Sequence, residues 1–121
     1  MGEWRDGTAE LWIPGRAEPV GVVVAASYRA RRRGLLGRDG VEGAMLLTPC
    51  ASVHTFRMRF AIDVAHLDRE LRVLAVRTMV PGRLGQVRLS SRHVLEAEAG
   101  AMAGWGLVPG VRVNVRPVAG G

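Results

Sequence analysis

The chain has 121 residues, of which 48% are hydrophobic and 23% are charged, a balance typical of a globular domain rather than a disordered chain. Its longest uncharged apolar segment, residues 20–27, is too short to cross a bilayer, and its N-terminus lacks the hydrophobic run of a secretory signal, so we expect a cytoplasmic protein without a membrane span. The net charge of +6 comes entirely from arginine, which either codon usage in a GC-rich genome or selection for binding phosphate and carboxylate groups would explain.

Length and cysteine content predict a simple organisation. We expect a single domain over residues 1–121, with loose glycine-rich ends at about 1–8 and 117–121. Cys50 is the only cysteine, so an internal disulfide is excluded, which agrees with a reducing compartment. The sequence leaves open whether the protein is a monomer or a homodimer, and we expect no cofactor and no metal.

The first third of the chain predicts strands and one short helix. Short runs of β-branched and aromatic residues predict the strands, and two prolines with a glycine between the first two runs predict a hairpin turn. Ser27 can cap the N-terminus of a helix, and Gly37 is a natural end for it. The predicted elements are strands at 11–13 and 20–25, a helix at 28–36 and a strand at 44–47.

The middle of the chain, residues 50–62, alternates between two kinds of position. Even positions carry Cys50, Ser52, His54, Phe56, Met58, Phe60 and Ile62, whereas odd positions include Thr55, Arg57 and Arg59. A period of two is typical of a strand with an apolar face inward and a basic face toward water, and a helix would instead mix the arginines into the apolar arc. We therefore predict an extended strand over 50–62.

The rest of the chain predicts further short strands separated by turns. A turn at 68–70 joins two apolar runs in the clearest hairpin of the sequence. The predicted elements are strands at 63–67, 71–77, 86–90, 93–97 and 111–115 and a short helix within 99–105. This pattern indicates a mainly β fold, a small β-barrel or sandwich with one or two short helices.

Three blocks of residues occur in a characteristic order. They are Gly34 and Leu35 flanked by Arg33 and Arg38; Met58, Asp63, Val64 and Leu67; and Val94, Leu95, Glu96 and Gly100. Together they resemble the DUF192 (UPF0127) family over about residues 28–115. Ala61 stands where relatives commonly have proline, and Val111 where they commonly have aspartate. The resemblance implies a compact, mostly β domain, and it implies no substrate, cofactor or reaction.

The candidate binding residues come from the middle segment. We interpret the protein as a non-enzymatic accessory module that holds a ligand or a protein partner in a groove formed by Cys50, Ser52, His54, Arg57 and Met58. The alternative is a small thiol-dependent enzyme or hydrolase in which His54 and nearby arginines lower the pKa of a Cys50 nucleophile. A straight strand would hold these two side chains about 13 Å apart, so only a bend after Pro49 or a bulge would join them.

Asp63 and Glu96 are carboxylates in apolar surroundings, where a charged group needs a partner. We expect ion pairs with Arg33 or Arg38, or hydrogen bonds to the backbone. The functional alternative is a carboxylate pair that performs acid–base catalysis near His54 or His66.

The arginines allow a third interpretation, a surface that binds nucleic acid or another anion. The residues concerned are Arg29, Arg31, Arg32, Arg33, Arg38, Arg57, Arg59 and Arg88. A solvated basic helix explains them more simply, because no exposed aromatic residues or nucleic-acid motif accompany them. The sequence also lacks a phosphate loop and a dinucleotide fingerprint, which disfavours nucleotide hydrolysis.

Overall fold

The protein forms one seven-stranded sheet with two short helices, as described for residues 4–118 by a computed structural model. The strands are β1 Gly7–Trp12, β2 Val20–Ala25, β3 Ala44–Leu47, β4 Ile62–Leu67, β5 Val73–Met79, β6 His93–Glu98 and β7 Asn114–Pro117. The helices are α1 Tyr28–Arg33 and α2 Ala101–Trp105. Across the sheet the strands follow the order β5-β4-β6-β3-β2-β1-β7, and β2 and β3 are its parallel pair.

α1 connects the two parallel strands, and local residues set its length. The Ser27 hydroxyl accepts a hydrogen bond from the backbone N–H of Ala30 at 3.1 Å, as the N-cap prediction requires. The helix ends at Gly34, whose φ of 47° is in the left-handed region that glycine adopts without strain. It is therefore shorter than the predicted helix, which extended to Gly37.

Both faces of the sheet are covered. The first core contains residues from β1, β2, β3, β4 and β6 together with Met102 of α2. The second core lies on the opposite face and includes Leu35, Met45, Leu47, Ile62 and Val64. Every residue of β3 and β4 is buried, because each of these strands presents side chains to both cores.

The two outer strands of the sheet are linked through one segment near the end of the chain. The N–H groups of Val73 and Gly110 bond to the carbonyls of Val111 and Val73, each at 2.8 Å, and that of Val113 bonds to Leu71 at 3.0 Å. The same segment continues into β7, which pairs with β1. The mainly β prediction is thus confirmed, whereas barrel or sandwich is only a loose description, since the strand ladder does not close.

Two predicted strands are wrong. Residues 50–61 contain turns and an isolated bridge instead of a strand, and Arg57 has a φ of 64°. Inside this segment Val53 and Thr55 are buried, although the alternation placed them on the outer face. Residues 86–90 are also irregular, and the last strand begins at Asn114, three residues later than predicted.

Long-range hydrogen bonds of Thr55 explain the first error. Its N–H donates to the carbonyl of Arg83 at 2.7 Å, and its carbonyl accepts from the N–H of Gly82 at 2.8 Å. Its hydroxyl donates to the carbonyl of Val80 at 2.7 Å and accepts from the N–H of Arg83 at 2.8 Å. The segment therefore bonds to a loop distant in sequence, and its exposed arginines follow from a turn rather than from a strand face.

The predicted loose ends are only partly within the described residues. Gly7 and Thr8 belong to β1 and Pro117 belongs to β7, while residues 1–3 and 119–121 lie outside the description. Within residues 4–118, neither helix has the length and apolar character needed to cross a membrane.

Gly43→Ala should destabilise the protein, because a Cβ at this position would collide with the carbonyl oxygen of Gly21 on β2 and φ is already 68°. We expect the free energy of unfolding to fall by at least about 2 kcal/mol. Urea unfolding followed by circular dichroism measures this loss. Gly40→Ala is the control, since a Cβ there meets no atom within 4 Å. Equal stability of the two variants would contradict the packing described for β2 and β3.

Candidate functional site

A pocket of about 190 Å³ lies on the face of the second core, between α1, residues 47–58 and β6. It is lined by Arg31, Arg32, Arg33, Gly34, Leu35, Leu36, Leu47, Pro49, Cys50, Ser52, Val53, His54, Met58 and Glu96. Four of the five predicted groove residues thus reach one pocket, and Arg57 does not line it. The pocket also includes three of the four arginines of α1, which were predicted as part of a separate basic surface. Nothing in their sequence pattern indicated that they would meet the groove.

Glu96 is the most unusual residue of the pocket. It lies in β6 between Met45 of β3 and Val64 of β4, both of which belong to the second core. The residue is 5% exposed and lines the pocket, and no hydrogen bond to its carboxyl forms within residues 4–118. Burial raises the pKa of Glu96 from 4.5 to about 7, because the charged form loses its hydration.

Asp63 is buried on the other side of the sheet and has a complete set of partners. Its Oδ2 accepts hydrogen bonds from the N–H groups of Gly100 at 2.9 Å and Met102 at 3.1 Å, at the start of α2. Its Oδ1 accepts a bond from the hydroxyl of Thr78 at 2.6 Å. Asp63 thus links α2 to β4 and β5. Of the two predicted kinds of partner, ion pairs and backbone hydrogen bonds, Asp63 has the backbone hydrogen bonds.

Register excludes the predicted carboxylate pair. Asp63 is opposite Ala97 and Val64 is opposite Glu96, so the two acids are one register position apart and project to opposite faces. The predicted ion pairs with Arg33 or Arg38 are also wrong. In the described part of the chain, the ion pair within 4 Å joins Arg59 to Asp39.

Cys50 is half-buried in the pocket wall, and its surroundings favour the thiol. Its Sγ donates to the backbone carbonyl of Ser52 at 3.2 Å. Burial raises the pKa of Cys50 and outweighs the lowering by the backbone N–H of Ser52 and the charge of Arg31, and the negative charge of Glu96 adds to the rise. The lowered pKa on which the thiol-enzyme alternative depends is therefore not what these surroundings produce.

His54 forms its hydrogen bond with a neighbour in its own segment, not with the thiol. Its Nδ1 accepts a hydrogen bond from the N–H of Phe56 at 3.3 Å, and the two rings stack with centroids 5.0 Å apart. The side chain is exposed, at the mouth of the pocket. No hydrogen bond between Cys50 and His54 exists among the described residues, so the sequence spacing brings them to one pocket without making them a catalytic pair.

Arg31 forms the polar wall of the pocket opposite the sheet. One of its terminal nitrogens donates to the carbonyl of Pro49 at 3.1 Å, which fixes the guanidinium over residues 49–50. Its Nε is buried and has no hydrogen-bond partner within residues 4–118. The Nε donor of Arg31 and the carboxyl of Glu96, neither of which forms a hydrogen bond within residues 4–118, therefore line the same pocket.

The other two histidines are structural. Nδ1 of His93 lies 2.7 Å from the hydroxyl of Thr48, and Nδ1 of His66 lies 3.1 Å from the hydroxyl of Ser91. Burial lowers the pKa of both, to about 4 for His93. Among residues 4–118, no group of three or more His, Cys, Asp or Glu side chains is arranged to hold a metal ion.

Comparison with known proteins gives a family match over most of the chain. The model of the DUF192 family, described as an uncharacterized ACR, matches residues 10–115. A UPF0127 protein of Pyrococcus horikoshii is 31% identical over 84 residues, which are 65% of this chain and 73% of the relative. The resemblance noted from the three sequence blocks is confirmed.

Solved structures share the fold. A crystal structure of a protein of unknown function from Novosphingobium aromaticivorans has a TM-score of 0.75 and 19% identity, covering 88% of this chain and 84% of that one. A protein from Sinorhizobium meliloti, described as a "putative transcription regulator", has a TM-score of 0.77 and 19% identity, covering 95% and 97%. At this identity the likeness concerns the fold alone.

Glu96 should make the protein less stable as pH rises. Between 4.5 and about 7 the folded carboxyl keeps a proton that the unfolded one has lost, so stability falls through this window and the loss is complete above it. The expected loss is about 3 kcal/mol. It is measured by urea unfolding as the difference between the wild type and Glu96→Gln, which does not titrate.

The comparison with Glu96→Gln is needed because the titration of His93 changes the stability in the opposite direction. Its lowered pKa makes stability rise with pH between about 4 and 6.5, and it does so in both proteins. In the wild type the loss of stability from Glu96 and the gain from His93 largely cancel below pH 6.5. Only the difference between the wild type and Glu96→Gln isolates the contribution of Glu96. A difference that does not change with pH would show that Glu96 is not desolvated in the folded protein.

Cys50 should react slowly with a thiol reagent at neutral pH. Because its pKa is raised above the ordinary value of 9.0, the labelling rate should still be rising at pH 9. Stopped-flow labelling across pH measures the rate, and the same chain in urea supplies the reference for an unperturbed thiol. A rate that levels off below pH 8 would instead reveal an activated thiolate.

Proposed function

This chain belongs to the DUF192 (UPF0127) family, and on that premise we propose that it is a non-enzymatic accessory domain that binds a small ligand in the pocket between α1, residues 47–58 and β6. The family is described as uncharacterized, so the proposal rests on the pocket itself. Cys50, Ser52, His54 and Met58 contribute to the binding surface together with Arg31 and Glu96.

The observation that carries the proposal is the unpartnered carboxyl of Glu96. Burying an unpaired polar group costs free energy, and buried acids in proteins normally have partners, as Asp63 does on the other face. A leucine or methionine would fit the neighbouring Met45 and Val64 better. A group kept at the expense of stability, with a pKa shifted into the neutral range and facing a pocket, is typical of a functional site.

The polar groups of the pocket indicate the kind of ligand. Glu96 offers a carboxyl on the β6 side and Arg31 a guanidinium on the α1 side, while Leu35, Leu47 and Val53 form apolar walls. A complementary molecule carries a hydrogen-bond donor or cationic group at one end, an anionic group at the other and a short apolar body. The arginines of α1 would then serve a ligand rather than a nucleic acid.

The thiol-enzyme alternative has less support. Its base, His54, is engaged with Phe56, and the raised pKa of Cys50 leaves the nucleophile protonated at neutral pH. The cytoplasmic location, the single-domain boundary and the choice between monomer and homodimer stay predictions.

Replacement of Glu96 tests the proposal before any natural ligand is known. Glu96→Leu should stabilise the protein at pH 8 by about 1–3 kcal/mol, since it removes an unpaired buried charge from an apolar environment. Urea unfolding measures this, and Glu98→Leu at the exposed end of the same strand is the matched control with little expected change.

Binding of L-phenylalanine, a zwitterion with an apolar body, is then followed by amide NMR shifts at Cys50, Val53 and Met58.

The zwitterionic probe should shift those amides in the wild type, and the shifts should vanish in Glu96→Leu. Benzylamine and benzoate, which each carry one of the two charged ends, should bind more weakly than phenylalanine. Two results would refute the proposal: a destabilised Glu96→Leu variant, as expected of a satisfied structural residue, or probe shifts that persist in that variant.

A further inference from the structure

Residues 51–59 and 80–89 form a joint surface beside the mouth of the pocket, which we call the arginine–leucine surface. The second segment runs alongside the first, through hydrogen bonds from the N–H groups of Gly85 to Val53 at 2.8 Å and of Arg88 to Ala51 at 3.1 Å. His54 and Leu84 form an isolated antiparallel bridge between them. Backbone hydrogen bonds therefore hold the two segments side by side.

The arginine–leucine surface carries five of the ten large apolar side chains that are exposed within residues 4–118. Leu89 is 95% exposed, Leu84 74% and Val87 65%, and Val80 and Phe56 are each close to half exposed. These exposures are high because single side chains project from irregular loops instead of lying flat on the protein. Several exposed apolar side chains on two adjoining segments are typical of an interaction site.

The charge of the same surface has one sign. Its arginines are Arg57, Arg59, Arg83 and Arg88, with Arg92 next to it in sequence, while residues 50–62 and 80–95 contain no aspartate or glutamate. Arg59 pairs with Asp39, at 3.0 Å. Within residues 4–118 the other four arginines have no acidic partner within 4 Å, so the surface keeps a positive charge.

We propose that the arginine–leucine surface docks reversibly on an anionic lipid bilayer. Projecting aliphatic side chains suit insertion at the boundary between headgroups and acyl chains, and the arginines suit anionic headgroups. Four of the five exposed apolar residues are aliphatic, whereas single-stranded nucleic acid is bound through aromatic stacking. Docking would hold the pocket mouth, at Ser52 and His54, against the membrane surface. It does not depend on what the pocket binds.

Co-sedimentation with vesicles tests the docking. The protein should bind vesicles of phosphatidylcholine containing phosphatidylserine, bind pure phosphatidylcholine at least about tenfold more weakly, and lose binding as salt rises. The double variant Arg83→Gln/Arg88→Gln should weaken binding to the anionic vesicles about 30-fold, and Leu84→Ser/Leu89→Ser should weaken it about tenfold or more. All four positions are in loops, and circular dichroism verifies that each variant is folded.

Matched controls lie elsewhere on the protein. Val108→Ser removes a side chain that is 55% exposed between α2 and β7, and Arg16→Gln removes an exposed arginine from the β1–β2 turn, and neither should change vesicle binding. Equal binding to neutral and anionic vesicles would overturn the proposal. The proposal would also be overturned if Arg83→Gln/Arg88→Gln lost vesicle binding while Leu84→Ser/Leu89→Ser kept it. If the arginine variant also lost retention on immobilised RNA while the leucine variant kept it, the surface would be a nucleic-acid surface instead.

Discussion

β6 is buried on both faces of the sheet, and this burial decides what the polar side chains at the centre of the sheet can do. Leu95 and Ala97 of this strand belong to the first core and Val94 to the second, and its neighbours β3 and β4 are buried throughout. A polar side chain on such a strand is largely removed from bulk water. It either forms hydrogen bonds within the protein or keeps an unsatisfied hydrogen-bonding group that a ligand can pair with.

Asp63 and Glu96 show these two outcomes one register position apart. Asp63 faces the start of α2, whose first backbone N–H groups have no partner within the helix and are satisfied by its carboxylate. Glu96 faces α1 and residues 47–58, and none of their groups forms a hydrogen bond with its carboxyl within residues 4–118. The same chemical group thus fastens a helix on one face of the sheet and shapes a binding pocket on the other.

Features that depend on nearby residues were predictable from the sequence. The β4–β5 hairpin follows from its alternating apolar residues and the turn between them, and the start of α1 follows from Ser27. The conformation of residues 50–61 was not predictable, because Thr55 bonds to residues more than twenty positions away. An alternating pattern of side chains carries no information about such bonds, so a turn that happened to expose Arg57 and Arg59 was mistaken for a strand.

Residues 110–117 bond to the beginning of β5 through their first half and to β1 through their second. They follow every other strand and both helices along the chain. During synthesis on a ribosome, β1 and β5 therefore keep unpaired backbone donors and acceptors until residues 110–117 emerge. Those rows are the places where a stalled or cleaved chain would pair with a neighbouring molecule and aggregate.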